Sequence, residues 1–361
     1  MIYGKQLNIK ITDFCNAECS FCGYNRTAFK ELLKEGYQPS VLDVEKMIKN
    51  FDHLKRKGFR KLHITGGEPF VHPMLIEFIR AAKKHGFAVQ TGTNGSLLTE
   101  ERIRQLKEVD IDYLWLSLDT FPLDKHLEHR GLVAFKEKFH EGIRLLQEYK
   151  INFFGQTVIS HVIPKRNGLP DLEGHVKYYF EQFGIRRFIF SYPMYRPEKE
   201  LENKHLATSG SDAVCFDKKT LTDIYNKIIL LKRRLKAIQI INPYISLWQQ
   251  LEEINGNGGH FGCYAGQDIF FLGKDQTSLR PCYFYGDVIV DEINSPALKE
   301  NRTYEFCKDC SDECFRDASL IYYTRHHPGK FIRNILNNSE LRRYILKDLW
   351  NVTKTGKYRN V

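Results

Sequence analysis

The 361-residue sequence contains no long hydrophobic run, no internal repeat and no low-complexity tract. No segment approaches the ~20 consecutive apolar residues that a membrane-spanning helix needs. The segment 1–8 also lacks the basic-then-apolar order of a secretory signal peptide. These absences argue against membrane spanning and secretion, and we expect a cytoplasmic globular protein.

Acidic side chains are the scarcer charge, with 44 Asp and Glu against 54 Lys and Arg and a net charge of +10. Residues 316–361 hold ten basic and three acidic residues, so 10 − 3 = +7 of that charge lies in this segment. A basic tail can attract an anionic partner, and a solvated basic helix is the alternative. Because no basic–aromatic repeat is present, we do not expect a nucleic-acid partner.

Short apolar runs alternate with helical patterns over the first 200 residues, which is typical of an α/β fold with parallel strands. Six such units can form an incomplete barrel or an open sheet, and in both cases the loops after the strands hold the site. The predicted helices include 44–57, 74–85, 134–149, 172–183 and 221–238. The predicted strands are 7–12, 62–65, 88–93, 113–118, 152–159 and 187–191.

The nine cysteines are an odd number in tight groups, which favours metal binding over a disulfide framework. Cys15, Cys19 and Cys22 form a C-x3-C-x2-C loop directly after the first predicted strand. Three thiolates on one loop can hold three corners of a cubane iron–sulfur cluster and leave its fourth iron to an exchangeable molecule. A zinc site is the alternative.

Ligand-competent groups also follow the next three predicted strands. The second strand ends in Thr-Gly-Gly-Glu-Pro at 65–69, whose paired glycines can expose backbone groups to a ligand. The third ends in Thr-Gly-Thr-Asn-Gly at 91–95, and the fourth in Ser-Leu-Asp-Thr at 117–120. Each motif alone could be a turn or a helix cap.

Taken in order, these motifs resemble those of the radical S-adenosylmethionine (SAM) enzymes over about residues 5–195. The resemblance implies a partial (β/α)6 barrel in which Cys15, Cys19 and Cys22 bind a 4Fe-4S cluster whose open iron takes SAM. It further implies that Gly66, Gly67 and Glu68 contact the SAM amino group and that Phe21 lies by the adenine. Ser117, Asp119 and Arg130 would line the carboxylate and ribose region, with Asn94 as a weaker contact.

The resemblance also implies a reaction. An electron from an external reductant such as flavodoxin or ferredoxin cleaves SAM, and the resulting 5′-deoxyadenosyl radical abstracts a substrate hydrogen. Peptide-modifying members of this family often carry an N-terminal leader-binding domain, whereas the first barrel strand here begins near residue 7. We therefore expect a small-molecule substrate, such as a sugar, an aminocyclitol or a nucleotide, that is dehydrogenated or epimerised. A ribosomal-peptide maturase for crosslinking or epimerisation is the alternative, and a non-catalytic metal-containing RNA-binding protein is the alternative of another class.

A second cysteine block resembles the auxiliary-cluster extensions called SPASM and twitch domains. Cys263 and Cys282 are 19 positions apart, which leaves room for a hairpin, and Cys307 and Cys310 complete a set of four. The resemblance implies one auxiliary 4Fe-4S cluster, with structural zinc as the alternative. We therefore predict a barrel at 1–200, a helical linker at 201–255, a small Cys-rich auxiliary-cluster domain at 256–318 and a basic helical tail at 319–361.

Two further cysteines are candidate hydrogen-atom donors: Cys215, which most simply is a buried small hydrophobe, and Cys314, which could instead ligate the auxiliary cluster. Polar side chains at the barrel mouth are candidates for substrate contact. His63 and His161 are expected to be hydrogen-bonded structural histidines. The candidates for substrate contact are Gln156, His161, Ser191, Tyr192 and Tyr195.

Overall fold

The computed structural model describes residues 4–22, 26–191, 212–257, 261–283, 285, 288–296, 313–339, 341–343 and 345–346. The strands are β1 (Lys5–Lys10), β2 (Phe59–Thr65), β3 (Ala88–Thr93), β4 (Tyr113–Ser117), β5 (Phe153–Val158), β6 (Lys165–Arg166), β7 (Leu169–Pro170), β8 (Arg187–Ser191), β9 (Gln239–Ile240), β10 (Ile269–Leu272), β11 (Ser278–Arg280) and β12 (Asp291–Glu292). The helices are α1 (Arg26–Lys34), α2 (Val44–Lys49), α3 (Phe51–Arg56), α4 (Leu75–Lys84), α5 (Glu100–Glu108), α6 (Leu123–His129), α7 (Lys136–Glu148), α8 (Leu172–Phe183), α9 (Lys218–Arg234), α10 (Tyr244–Ile254), α11 (Glu313–His326) and α12 (Pro328–Asn337).

The main sheet has the order β12-β11-β10-β1-β2-β3-β4-β5-β8-β9. From β1 to β8 the strands are parallel and follow one another in chain order, without the reversal of a doubly wound sheet. Right-handed crossovers in one direction keep the connecting helices on one face of such a sheet. This is the strand order of a (β/α) barrel, and the predicted α/β fold with six parallel strands is confirmed.

The two faces of the sheet bury different side chains because residues alternate along a strand. On β4, Leu114 and Leu116 join the large core beneath the helices. Tyr113 and Trp115 point to the other face. There they form a smaller buried cluster with Phe154, Ile189 and Ile241.

Two predicted helices differ most from the structure. The predicted helix 44–57 is divided into α2 and α3 at Asn50, a residue type that competes with helical hydrogen bonding and favours caps. The predicted helix 221–238 is α9, which begins earlier because Asp217 accepts a hydrogen bond from Thr220 N and caps it. It also ends earlier, because Leu235 is extended.

The C-terminal segments extend the same sheet. The hairpin β10–β11 joins the sheet through β10, which pairs in parallel with β1. Helix α11 contacts the N-terminal end of the barrel, where the Tyr322 hydroxyl donates to the Gly4 carbonyl at 2.7 Å. None of the helices in the described part of the chain has the length and hydrophobicity needed to cross a bilayer.

Candidate active site

The three-cysteine loop follows β1 at the carboxyl end of the sheet. Cys19 is buried, and Cys15 and Cys22 are half-buried. Burial and, second, the nearby Glu68 carboxylate raise the pKa of Cys15 to about 12. Cys22 also raises the pKa of both other thiols, so the three thiols lie close enough to interact electrostatically.

The donor chemistry of this loop fits an iron–sulfur cluster. Within the described ranges, no three His, Cys, Asp or Glu side chains are arranged to hold a single metal ion. A cubane binds each thiolate through a different iron, so its ligands spread around the cluster instead of converging on one point. Iron would bind the cysteines as thiolates and overcome the raised pKa of Cys15 and Cys19. The loop is therefore suited to three corners of a cluster.

The Gly-Gly motif after β2 packs against the backbone of the cysteine loop. Gly67 N donates to Thr12 O and Glu68 N donates to Phe14 O, both at 2.8 Å. A Cβ on Gly66 would lie 2.5 Å from Thr12 O, and one on Gly67 would lie 2.2 Å from Phe14 O. The glycines therefore permit a close approach of two backbones, and these two N–H groups are used by the loop.

The Glu68 carboxylate is buried and accepts three hydrogen bonds. Phe70 N and the Thr93 hydroxyl donate to Oε1 at 3.1 and 2.9 Å, and Asn94 N donates to Oε2 at 2.6 Å. Burial raises the pKa of Glu68, and these hydrogen bonds partly offset the shift. The described contacts of Glu68 thus join the end of β2 to the end of β3, and its role toward SAM stays a prediction.

Asn94 connects the third loop to the cysteine loop. Its Nδ2 donates at 2.8 Å to Oδ1 of Asn16, which lies between Cys15 and Cys19. Ser96 completes the network, because its hydroxyl donates to Asn94 Oδ1 and accepts from Asn16 Nδ2. Asn94, which was predicted as a weaker SAM contact, is therefore held by hydrogen bonds against the three-cysteine loop.

A buried ion pair lies at the end of β4. Arg130 Nε donates to Asp119 Oδ2 at 2.7 Å, and the Arg130 carbonyl accepts from Glu18 N in the cysteine loop. Burial opposes the Arg130 charge, but Asp119 and then Cys19 raise its pKa. Asp119 Oδ1 has no hydrogen-bond partner among the described residues and is a buried acceptor beside the thiols.

Phe21, in the three-cysteine loop, forms an aromatic pair with His129. Their ring centroids are 5.3 Å apart, and Phe21 is buried. His129 and Asn16 carry no recognisable motif, and sequence reasoning did not identify them. Only their positions in the sequence could have pointed to them: Asn16 lies between Cys15 and Cys19, and His129 precedes Arg130.

The other predicted contact residues are on the sheet face that points away from the helices. Ser117 is the register partner of Gln156, whose Nε2 donates to the Ser191 hydroxyl at 3.0 Å. His161 Nε2 bonds the Cys215 carbonyl at 2.8 Å, as expected for a structural histidine. His63 Nδ1 has no hydrogen-bond partner among the described residues, so the expected structural role of His63 stays a prediction. Tyr192 and Tyr195 lie outside the described residues.

The second cysteine block is described in part. Cys263 precedes the β10–β11 hairpin and Cys282 follows it, as the spacing predicts, and both are buried. Cys307 and Cys310 lie outside the described residues, as does the side chain of Cys314. Cys215 was expected to be buried, but it is exposed, because it lies in the turn before α9.

A family model for the radical SAM superfamily matches residues 9–178. This segment, slightly less than half of the chain, is thus similar to the radical SAM superfamily. The members of this superfamily are enzymes that use a 4Fe-4S cluster and SAM.

Three similar proteins illustrate the range of this superfamily. The GTP 3′,8-cyclase of Chlorobaculum tepidum is 34% identical over 122 residues, which cover 33% of this chain and 34% of that protein. The PqqA peptide cyclase of Ruegeria pomeroyi is 30% identical over 178 residues, 49% of this chain and 44% of that protein. The chain thus spans less than half the length of these relatives. The structure of native anSMEcpe with bound AdoMet matches with a TM-score of 0.57 and 20% identity, over 92% of this chain and 99% of that one, and shows a shared fold.

Proposed function

We propose that this chain reductively cleaves SAM and directs the resulting radical to a substrate C–H bond. The observation that carries the proposal is the junction of four loops. The three-cysteine loop is hydrogen-bonded to the loop after β2 through Gly67, to the loop after β3 through Asn94, and to Arg130 beyond β4. When bound, the cluster and SAM supply one-electron cleavage of the sulfonium C–S bond and a 5′-deoxyadenosyl radical.

The residues of the chain would position the cofactors. Cys15, Cys19 and Cys22 would hold the cluster, and the Gly66–Gly67 backbone would face the SAM amino group. Asp119 Oδ1, a buried acceptor with no partner in the described part of the chain, is suited to a hydroxyl or amino hydrogen, and Arg130 compensates its charge. The Phe21 ring, which packs on His129, would contact the adenine, and Ser117 would complete the ribose side.

For the substrate, we propose a small molecule such as a nucleotide, a sugar or an aminocyclitol, with dehydrogenation or epimerisation as the outcome. The similarity to a GTP 3′,8-cyclase supports a nucleotide. A peptide substrate is the second candidate, and the similarity to a PqqA peptide cyclase favours it. Cys215 is exposed, so as a hydrogen-atom donor it would have to reach substrate from the protein surface; Cys314 is the other candidate.

We also propose an auxiliary 4Fe-4S cluster held by Cys263, Cys282, Cys307 and Cys310, in a SPASM-like or twitch-like segment. The hairpin between the first two cysteines supports this. A flavodoxin or ferredoxin would supply the electron. Clusters with an open iron are sensitive to oxygen, so the proposed location is the reducing cytoplasm.

The test is anaerobic reconstitution with iron and sulfide, followed by iron counting and an assay for 5′-deoxyadenosine with dithionite and SAM. We expect about eight irons per chain, the sum for two cubanes, and formation of 5′-deoxyadenosine. Replacing Cys15, Cys19 and Cys22 together by Ala should abolish cleavage and leave about four irons. Cleavage of SAM by that triple variant would overturn the assignment.

A further inference from the structure

A row of uncharged polar side chains crosses the sheet face that points away from the helices. Asn8 on β1, His63 on β2 and Gln90 on β3 are successive register partners. The His63 ring packs on Trp115 of β4 with centroids 4.9 Å apart, and Trp115 Nε1 donates to Gln90 Oε1 at 3.3 Å. The row therefore runs over four adjacent strands.

Two buried atoms of this row lack hydrogen-bond partners among the described residues: Asn8 Nδ2 and His63 Nδ1. Asn8 is fully buried, and His63 is 5% exposed. Because Asn8 Oδ1 accepts from Gln6 Nε2 at 3.0 Å, the amide orientation leaves Nδ2 as an unused donor. Buried polar atoms are nearly always hydrogen-bonded, so these two indicate a ligand or an ordered water.

The pair has no net charge. Burial lowers the pKa of His63 to about 4, so its ring is neutral near pH 7 and has one nitrogen that donates and one that accepts. Side chains on adjacent parallel strands are about 5 Å apart. On this face Lys61 lies one layer nearer the amino ends, and Lys10, one layer nearer the carboxyl ends, is paired with Asp13 at 2.5 Å. Arg280 on β11 is in register with Asn8 through Phe271, and its charge is paired with Asp275 at 3.0 Å.

We propose that Asn8 and His63 form a subsite for an uncharged pair of neighbouring carbonyl and N–H groups of the substrate. Its carbonyl oxygen would accept a hydrogen bond from Asn8 Nδ2, and its N–H would donate to His63 Nδ1. The Trp115 ring forms an apolar wall beside the pair. An adjacent C=O and N–H that point to the same side occur in the cis lactam edge of a purine base and on one residue of an extended peptide, so either source has the required chemistry.

The position of the subsite suits the proposed function, on which this inference rests. β1 leads into the three-cysteine loop, and β2 leads into the Gly-Gly motif. A ligand on the Asn8–His63 pair would therefore lie on the two strands that carry the proposed cluster and SAM contacts. The pair would hold the substrate, while the loops above hold the cofactors.

The test is calorimetric titration of the full-length reconstituted protein under anaerobic conditions without reductant, so that no SAM is cleaved. The probes are guanosine, which has a lactam edge, and N-acetylalanine N-methylamide, which has peptide bonds. The variants are His63→Phe, which keeps a ring against Trp115, and Asn8→Leu. Thr157→Val is the matched control, because Thr157 is equally buried but bonds His175 on the helix side of the sheet.

We expect at least one probe to bind, with affinity about tenfold weaker in both variants and unchanged in the control. The probe that binds identifies the source of the carbonyl and N–H groups. If Asn8→Leu does not fold, Asn8→Asp replaces the Nδ2 donor by an acceptor at constant shape and should weaken binding as strongly. Binding of neither probe, or equal binding by wild type and variants, would show that the pair holds only water.

A separate measurement distinguishes this result from failure of the proposed function. With dithionite and SAM but no probe, His63→Phe should form 5′-deoxyadenosine as the wild type does, because the pair is assigned to the substrate. If the wild type forms none, the proposed function fails, while the titrations still test the subsite.

Discussion

Arg130 and Asp119 form a buried ion pair beside the cysteine loop, with Arg130 Nε 2.7 Å from Asp119 Oδ2. Arg130 also lowers the pKa of Cys15 and Cys19 and of Glu68, although burial raises all three. Arg130 is thus a positive charge that interacts with two thiols and two carboxyl groups of the site. A cluster with three thiolates would add negative charge at the same place.

Replacing Arg130 with Met should destabilise the protein strongly, because it leaves the Asp119 carboxylate buried without its partner. Breaking a buried pair in this way costs about 3–5 kcal/mol. Urea unfolding measures the change. Arg144→Met is the matched control: Arg144 pairs with Glu141 on the surface, and its loss should leave the unfolding midpoint nearly unchanged. Equal effects of the two substitutions would contradict the assigned role.

Replacing Gly67 with Ala should displace the cysteine loop. The added Cβ would lie 2.2 Å from Phe14 O, and the backbone cannot yield without moving residues next to Cys15. We expect a loss of about four irons after reconstitution, the content of one cubane. Gly329→Ala is the control, because a Cβ there meets nothing within 4 Å. Full iron content in the Gly67 variant would mean that the loop tolerates the shift.

The neutral burial of His63 predicts a dependence of stability on pH. Its pKa is lowered to about 4 in the folded protein, so the unfolded chain takes up a proton first as the pH falls through the range from 6.5 to 4. Stability from this residue is present above that range and is lost within it. Between pH 7 and pH 5 the loss should be about 2 kcal/mol.

Urea unfolding of wild type and His63→Phe at both pH values checks this prediction. The variant should lose about 2 kcal/mol less than the wild type. His126 and His175 also have lowered pKa values because of burial, so both proteins should keep a common remaining dependence. Identical pH profiles would show that His63 is not neutral and buried in solution.

Replacing Cys263 and Cys282 together with Ser should remove the auxiliary cluster and leave the SAM-binding one. Iron content should fall by about four per chain, while 5′-deoxyadenosine formation without substrate persists. Cys215→Ser serves as the control, because the exposed Cys215 belongs to neither cysteine set. Zinc in place of iron at this site would favour the structural alternative.

The sequence was informative where a motif combines spacing with a strand end. The bounds of β3 and β8 were predicted to the residue, because each is a short run flanked by glycine, asparagine or proline. The position of Cys15, Cys19 and Cys22 after β1 followed from their spacing. The connection of Asn94 to Asn16 did not, because a side-chain hydrogen bond between residues 78 positions apart leaves no local pattern.

The same limit applies to contacts between the loops. The SAM contacts of Gly67 and Glu68 stay predictions, and the sequence does not reveal that their N–H groups donate to the cysteine loop. Nor does it reveal that the register partners Asn8 and His63 each bury one nitrogen without a hydrogen-bond partner among the described residues.

The parallel pairing of β10 with β1 has a practical consequence for dissecting this protein. β1 is an interior strand only because β10 covers one of its sides. A fragment that stops before β10 would expose the N–H and C=O groups of β1 as a bare edge, open to pairing with a second molecule. Such truncations are expected to aggregate, so the half of the chain that carries the cysteine loop should be studied with its C-terminal hairpin attached.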